Sequence, residues 1–537
     1  MQAPFDKIRK RSGRLADFDP ERITIAAAKA LRATGYDNRK LAETICENVI
    51  EDLRDSAPED GIPDIELVQD LVEQAFVKRG LTKTAKAFIL YRAQHEKIRD
   101  QKRLMVDVQD LVGGYVDKHD WRVNENSNAG FSFPSLLNHV SGSVIANYTL
   151  ANLYTPEMAE AHNGGDLHIH DLSCGIVGYC AGWSLRKLLE EGFRGCAGRA
   201  SAAPAKHLDT ATGQIVNFMC TLQTEWAGAQ AFSSFDTYLA PFIRADNLSY
   251  SQVKQIVQQF IFGLNIASRW GQTPFTNLTI DWVVPRDMAE QEVIIGGERR
   301  EGDCYGDYQA EMDVLNRAFL EVMMEGDRDG RIFTFPIPTY NITEDFNWDS
   351  DNAKLLFEVT GKYGLPYFQN FINSTLDPGD VRSMCCRLQM DMRELRNKTG
   401  GLFGSGEQTG SVGVVTINLP RLGYVSKTKD ELFGRLDYLM DLARDSLEAK
   451  RKLVERNIEN GLLPYTKIYL GNLSSHFATI GLVGMNECCL NFSGSSIADT
   501  DGRQLAVEIL DHMRDRMSSY QEATGHLYNL EATPAEG

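Results

Sequence analysis

Hydrophobic positions in the first hundred residues recur with the period of helices. In "ERITIAAAKALRATG", Ile23, Ala26, Ala27, Ala30 and Leu31 share one face, the spacing of an amphipathic helix. Asp19 supplies an N-cap, Pro20 a first-turn proline and Gly35 a stop. "PDIELVQDLVEQAFVKRG" repeats the design: Asp64 is the cap, Leu67, Val68, Leu71, Val72 and Ala75 form the stripe, and Gly80 ends it. "TKTAKAFILYRAQHEKIRD" predicts another helix. Ahead of them, "IRKRSGRLADF" reads as a hairpin turning at Ser12-Gly13. Residues 98–110 are charged and read as a connector.

Beyond the connector the pattern changes. "GDLHIHDL", "RIFTFPIPTYNI", "SVGVVTINLP", "TKIYLGNL" and "ATIGLVGM" are short apolar runs bounded by Gly, Pro or Asn, which predicts buried strands. "DELFGRLDYLMDLARDSLEAKRKLVERNIENG" predicts a long helix with Leu432, Leu436, Leu439 and Leu442 inside, ended by Gly461 and Pro464. Strands separated by helices imply an α/β body. The last stretch, "YNLEATPAEG", reads as a loop, so a further C-terminal portion is expected.

Composition narrows the function classes. A chain of 537 residues with 43% hydrophobic residues has room for two or three domains and a large core. A net charge of −18 argues against a broad nucleic-acid binder and leaves room for a local basic pocket. The N-terminus has no secretory apolar segment and no run reaches the ~18 apolar residues of a membrane span. A reducing cytoplasmic setting is the expectation.

Several groups carry candidate chemistry. Lys10, Arg11 and Arg14 surround the Ser12-Gly13 turn, where cations and backbone N–H groups suit phosphate oxygens; the plainer reading is a basic surface turn. His168 and His170 alternate on one strand and so share a face, with Asp171 beside them. They read as half a metal site or as a polar pair satisfied by hydrogen bonds. Cys174 and Cys180 follow. Two cysteine pairs stand in "MCCRLQ" (Cys385, Cys386) and "NECCLNF" (Cys488, Cys489). Neighbouring Cα atoms ~3.8 Å apart are poor disulfide partners, which leaves metal ligands, reactive thiols or buried packing. The glycine-rich stretch 399–413 lacks phosphate-loop and dinucleotide-binding spacing and reads as a loop.

Residues 6–97 resemble an ATP-cone, the regulatory nucleotide-binding domain at the front of many ribonucleotide reductases, through "IRKRSGRLADFDPERI", "DIELVQDLVEQAFV" and "AKAFILYR". The resemblance implies ATP or dATP as effectors, held by Lys10, Arg11, Ser12, Gly13 and Arg22. Ser12 replaces the family's acidic residue, and Arg22 stands where lysine is frequent. The rest of the chain resembles the catalytic subunit of the anaerobic, class III, ribonucleoside-triphosphate reductase in "GDLHIHDL", "WGQTPFTNLT", "RSMCCRLQMDMREL", "GSVGVVTINLPRLGY", "GLVGMNECCLNF" and "YNLEATPAEG". The expected domains are therefore 1–97, the ATP-cone, and 98–537, the reductase.

This second resemblance implies a ten-stranded α/β barrel of two parallel five-stranded halves, with the reactive cysteine on an inner loop. It also implies thiyl-radical reduction of ribonucleoside triphosphates to 2′-deoxyribonucleoside triphosphates, regulated by ATP and dATP. Cys386 takes the role of thiyl cysteine, with Met384 matching the methionine beside it. Cys180 becomes the hydrogen donor on the opposite face of the ribose, and Asn418 the ligand of the ribose hydroxyls. Cys385 stands where the formate-using pattern has glycine. "NECC" adds Glu487 as a base for the 3′-hydroxyl and Cys488 as a thiol to pair with Cys180, which resembles the subgroup fed by a thioredoxin-like dithiol; formate is the alternative reductant. Ala532, Thr533, Pro534, Ala535, Glu536 and Gly537 match the substrate phosphate loop. The glycyl radical and the zinc-binding cysteines belong to a C-terminal segment absent from this sequence. The implied partners are a radical-SAM activase with an iron–sulfur cluster and a second copy of the chain, without nucleic acid or membrane. Two rivals remain: a truncated or split-gene fragment that binds nucleotides without catalysis, and a metal hydrolase built on His168, His170 and Asp171.

Overall fold

The structure, a computed structural model, describes residues 5, 7–9, 15–36, 38–56, 62–89, 111–117, 131–266, 272–372, 381–383, 389–391 and 408–533. The chain divides into two compact units, Met1–Asp120 and Trp121–Gly537.

In the front unit, strands β1 (Lys7–Arg9) and β2 (Leu15–Asp17) pair antiparallel in the register Lys7↔Asp17, as the hairpin reading requires. Helix α1 (Pro20–Ala33) starts as predicted: the Asp19 carboxylate accepts from Glu21 N at 3.1 Å, and Ile23, Ala27, Ala30 and Leu31 are buried. Helix α2 (Arg39–Asp55) was not foreseen, although Ala42, Ile45, Cys46, Val49, Ile50 and Leu53 are buried at helical spacing. Helix α3 (Ile65–Lys78) buries Val68, Leu71, Val72 and Ala75, and a further helical stretch covers 82–89. These residues share one core with Ile8 and Phe18. Arg22 lies on the surface, 3.5 Å from Asp19. Lys10, Arg11, Ser12 and Gly13 lie outside the described residues.

The rear unit is built on one nine-stranded sheet. In chain order its strands are β3 (Leu167–Ile169), β4 (Cys180–Trp183), β5 (Gln230–Phe232), β6 (Thr276–Ile280), β7 (Ile337–Ile342), β8 (Tyr367–Asn370), then β9 (Gly410–Asn418), β10 (His476–Val483) and β11 (Leu527–Ala532). Strands β4 to β8 are mutually parallel, as are β9 to β11; β4 and β9 join the two sets antiparallel, and β3 lies antiparallel along the later part of β9. The α/β class and the five-stranded first half follow the expectation. The second half differs: its described residues show three parallel strands plus the short antiparallel β3, not five parallel strands.

Two strand readings need correction. "TKIYLGNL" is not a strand, because helix α6 (Pro464–Tyr469) takes its first residues. The "YNLEATPAEG" stretch is not wholly loop, because Leu527–Ala532 pairs parallel with β10 as β11. The long helix appears as α5 (Lys429–Glu459), after a short helix α4 (Leu419–Val425). It buries Leu432, Leu436, Leu439 and Leu442 against the core of β9, β10 and β11, about 1.5–3 kcal/mol for each fully buried leucine. A separate core packs helices against β4 to β7. Helix α7 (Met485–Ser493) follows β10 directly and carries Glu487, Cys488 and Cys489. Helix α8 (Thr500–Thr524) leads into β11.

Candidate active site

One face of the sheet packs on helices, and pleating sends alternate residues to the other face. On β9 and β10, Val415, Ile417, Ala478, Ile480 and Leu482 enter the helix-side core. Their neighbours point the opposite way. The register places Cys180, Ser411, Phe477 and Leu527 in one row, then Val414, Thr479 and Asn529, then Thr416, Gly481 and Glu531. On the first half the same face carries Ala231, Asn277, Thr279, Thr339, Asn341 and Gln369, because Gly182, in phase with Cys180, pairs with Ala231 and the register continues from there.

Cys180 is buried on this face, packed with Ala229, Ala231, Phe477 and Leu527. Gly228 leaves it room: a Cβ there would stand 2.7 Å from the Cys180 sulfur. Beside the thiol runs a polar ladder. Ser411 Oγ and Thr479 Oγ1 are 3.0 Å apart, and Thr479 Oγ1 donates to Asn529 Oδ1 at 2.9 Å. Across the sheet, Asn277 Oδ1, Thr279 Oγ1, Asn341 Oδ1 and Gln369 Nε2 are buried with no hydrogen-bond partner among the described residues. Buried polar atoms are seldom left so. A buried thiol among neutral donors and acceptors suits an uncharged polar guest such as sugar hydroxyls. A cavity of 560 Å³, lined in part by Cys174, Trp226, Gly228 and Phe275, adjoins the thiol's strand.

A second cluster gathers at the carboxyl ends of β9 to β11. His168 and His170 share a face, as predicted, while Leu167 and Ile169 enter the core. Their rings meet edge-on at 4.7 Å. His170 Nε2 lies 2.7 Å from Thr416 Oγ1, and Thr416 Oγ1 lies 2.8 Å from Thr533 Oγ1. The polar-pair reading of the histidines therefore holds for His170. Among the described residues no group of three or more His, Cys, Asp or Glu side chains is arranged to hold a metal, so nothing supports the hydrolase rival. His162, whose Nδ1 accepts from Ile169 N at 3.1 Å, is pushed to lower pKa by burial and then by His168.

Asn418 and Glu487 also lie at this end. Asn418 caps α4, its Oδ1 accepting from Arg421 N at 3.2 Å, and its Nδ2 donates to Gly165 O at 2.8 Å. It stands seven residues along β9 from Ser411, the partner of Cys180, about 20 Å at strand rise. The structure thus does not bring Asn418 to Cys180, and its amide is committed to holding the β9–α4 corner. Glu487 is exposed in the first turn of α7.

Cys488 is not brought to Cys180 either. It is buried in the helix-side core, against Gly423 of α4, where burial and then Cys489 push its thiol up to about 12. Cys489 Sγ donates to Gly502 O at 3.4 Å, and burial raises it too. The packing reading fits both. A third buried group, Lys450 of α5, runs along Gly413 of β9, its pKa lowered by burial and supported in turn by Asp171, Cys174 and Cys180. Met384, Cys385 and Cys386 lie outside the described residues, as do Pro534, Ala535, Glu536 and Gly537. The segments flanking the former, Val381–Ser383 and Gln389–Asp391, pair antiparallel with Ser383 opposite Gln389.

Residues 125–537 match the family described as anaerobic ribonucleoside-triphosphate reductase. The chain belongs to that family. Residues 6–97 of the reductase match the ATP cone domain. The anaerobic ribonucleoside-triphosphate reductase of Salmonella typhimurium is 23% identical over 98% of this chain and 76% of its own length. Among solved structures, the anaerobic ribonucleotide reductase of Thermotoga maritima with citrate in the active site superposes with a TM-score of 0.64 at 21% identity, covering 82% of this chain and 83% of that one. Its complex with dATP and CTP gives 0.62 at 21% identity, covering 79% and 71%.

Sequence reasoning about the reductase missed Ser411, Thr479, Asn529, Asn277 and Asn341. The signal was present in "TNLTI" and "IPTYNI", where polar residues alternate with apolar ones inside runs that otherwise read as buried strands. A polar residue at every second position of a buried strand marks a face that meets something other than a hydrophobic helix.

Proposed function

We propose that the chain performs its family's reaction, the reduction of ribonucleoside triphosphates to 2′-deoxyribonucleoside triphosphates, under ATP or dATP control through residues 6–97. The observation that carries this is the face shared by Cys180, the Ser411–Thr479–Asn529 ladder and Thr416. Ser411 and Thr416 pair with Phe477 and Gly481, four residues apart on β10 because a bulge follows Ser411, about 13 Å, the scale of a nucleoside triphosphate from ribose to terminal phosphate. Ligands of parallel α/β sheets sit at strand carboxyl ends; Ala532 and Thr533 stand at the carboxyl end of β11, and the phosphate loop that they open, 532–537, would receive the phosphates.

The chemistry must remove a poor leaving group. Cys386 as a thiyl takes the 3′ hydrogen. The 2′ carbon–oxygen bond then breaks and the oxygen leaves as water. Cys180 supplies hydrogen to the 2′ carbon from the other side, and the 3′ hydrogen returns from Cys386. The two electrons come from a dithiol, which becomes a disulfide, or from formate, which becomes carbon dioxide. Burial excludes water and oxygen from the sulfur. A glycine-centred radical, generated by an iron–sulfur activase in this family, supplies the one-electron oxidation of the Cys386 thiol; zinc belongs to the same family segment. Met384 is the candidate for the family methionine next to the thiyl cysteine, Glu487 is the candidate base, and Lys10, Arg11, Ser12, Gly13 and Arg22 are the candidate effector contacts. A homodimer is the expected assembly.

With the family's glycyl-radical segment and activase supplied, Cys386→Ala and Cys180→Ala should each abolish deoxynucleotide formation. Turnover by Cys386→Ala comparable to the unaltered chain would overturn the proposal. The family match over the reductase segment favours this reading over a silent nucleotide-binding protein.

A further inference from the structure

The His170–Thr416–Thr533 chain has a direction, because each threonine hydroxyl carries one proton. When His170 Nε2 bears a proton, it donates to Thr416 Oγ1, 2.7 Å away, and Thr416 donates to Thr533 Oγ1, 2.8 Å further on. The Thr533 proton is then left to point outward. When Nε2 is bare the order reverses: Thr533 donates inward and shows only lone pairs. Phosphate oxygens accept hydrogen bonds and do not donate them, so only the first order offers them a partner.

The surrounding fold holds this chain in place. Its three members are the residue after β3, a residue of β9 and the residue after β11. The backbone N–H of His170 donates to Val414 O at 3.1 Å, and that of Thr533 to Leu482 O at 3.0 Å. On β10 the position between them is Gly481, where a Cβ would overlap Thr533 Oγ1 and stand 2.7 Å from Thr416 Oγ1. Any larger residue would part the two hydroxyls. Thr416 is buried, so its hydroxyl must find partners inside the protein.

We propose that His170 is a positioning residue for the substrate triphosphate: acting through Thr416, it orients the Thr533 hydroxyl to donate to phosphate oxygens at the carboxyl ends of β9 to β11. This rests on the reading of residues 532–537 as the phosphate loop.

The test is equilibrium binding of CTP and of cytidine to the full chain. Thr416→Val keeps the shape and removes the relay, His170→Leu removes its start, and His170→Gln keeps an N–H donor. Thr416→Val and His170→Leu should weaken CTP about tenfold, the scale of one hydrogen bond to a charged group, with cytidine binding unchanged and His170→Gln close to the unaltered chain. CTP binding unchanged in Thr416→Val, or CTP and cytidine weakened alike, would overturn the relay. Ala535→Asp separates the two ideas, since a carboxylate in the phosphate loop should repel CTP. If Ala535→Asp binds CTP normally, the phosphate-loop reading fails and the relay with it. If it loses CTP while Thr416→Val does not, the relay alone fails.

Discussion

Cys488 and Cys489 are neighbours in the chain, and both end in the apolar core between α7, α4 and α8. A thiol pushed up to about 12 is a weak nucleophile at neutral pH. Cys488→Ala should therefore leave dithiol-supported turnover within about twofold, while costing stability through the space it empties, about 1 kcal/mol. A variant that folds normally but loses only thioredoxin-dependent turnover would return Cys488 to the redox path. His476 offers a sharper titration. It is fully buried, neither ring nitrogen has a hydrogen-bond partner among the described residues, and burial followed by the Arg451 guanidinium lowers its pKa to about 3. Above the ordinary histidine value of 6.5 both folded and unfolded forms are neutral and nothing changes. Below it the unfolded chain binds a proton that the folded chain refuses, so stability falls between pH 6.5 and 3, by up to ~1.4 kcal/mol per pH unit. Denaturant titrations of His476→Phe should show a shallower acid slope; an unchanged slope would assign the acid loss to other groups.

At the scale of elements, the long periodic helices were legible, α2 was missed, and one supposed strand did not survive. Helix α5 was legible because its leucines keep one face for the whole of Lys429–Glu459, and a pattern that long has no strand interpretation. "TKIYLGNL" was read as a strand because a short apolar run carries no period long enough to decide. The decision came from Glu225, distant in sequence. Its buried carboxylate accepts from Tyr465 N at 3.0 Å and from Thr466 N at 2.8 Å, satisfying the first donors of α6. Glu225→Ala should free those donors inside the protein and cost about 2–3 kcal/mol, read as a lowered Tm. A Tm equal to that of the unaltered chain would show α6 to be capped in some other way. The β9–α4 corner makes the same point for a predicted site residue. Asn418 was legible as a polar residue ending an apolar strand, but whether its amide faced a ribose or a helix end was decided by the return of Gly165 and Arg421 to it.

At the scale of the molecule, each unit closes its own core. Among the described residues the front core draws on residues 5–88 and the rear cores on residues 150–530. Residues 121–537 made alone should therefore fold, with a thermal transition close to that of the same unit in the full chain, and should lose the response of CTP binding to ATP or dATP. Retention of that response would move effector control out of the front unit. The sequence by itself determined the two-part organisation, the α/β class, the helical faces and the family, because these rest on local periodicity and on motifs carried in order along one chain. It also put His168 and His170 on one face, since strand alternation needs no knowledge of neighbours. Only the tertiary structure decided which polar residues line the face shared with Cys180, that Asn418 and Cys488 stand apart from it, and that His170 reaches Thr533 through Thr416. Those facts depend on strand order and register, and a single residue's slip in register would turn every one of those side chains to the other face.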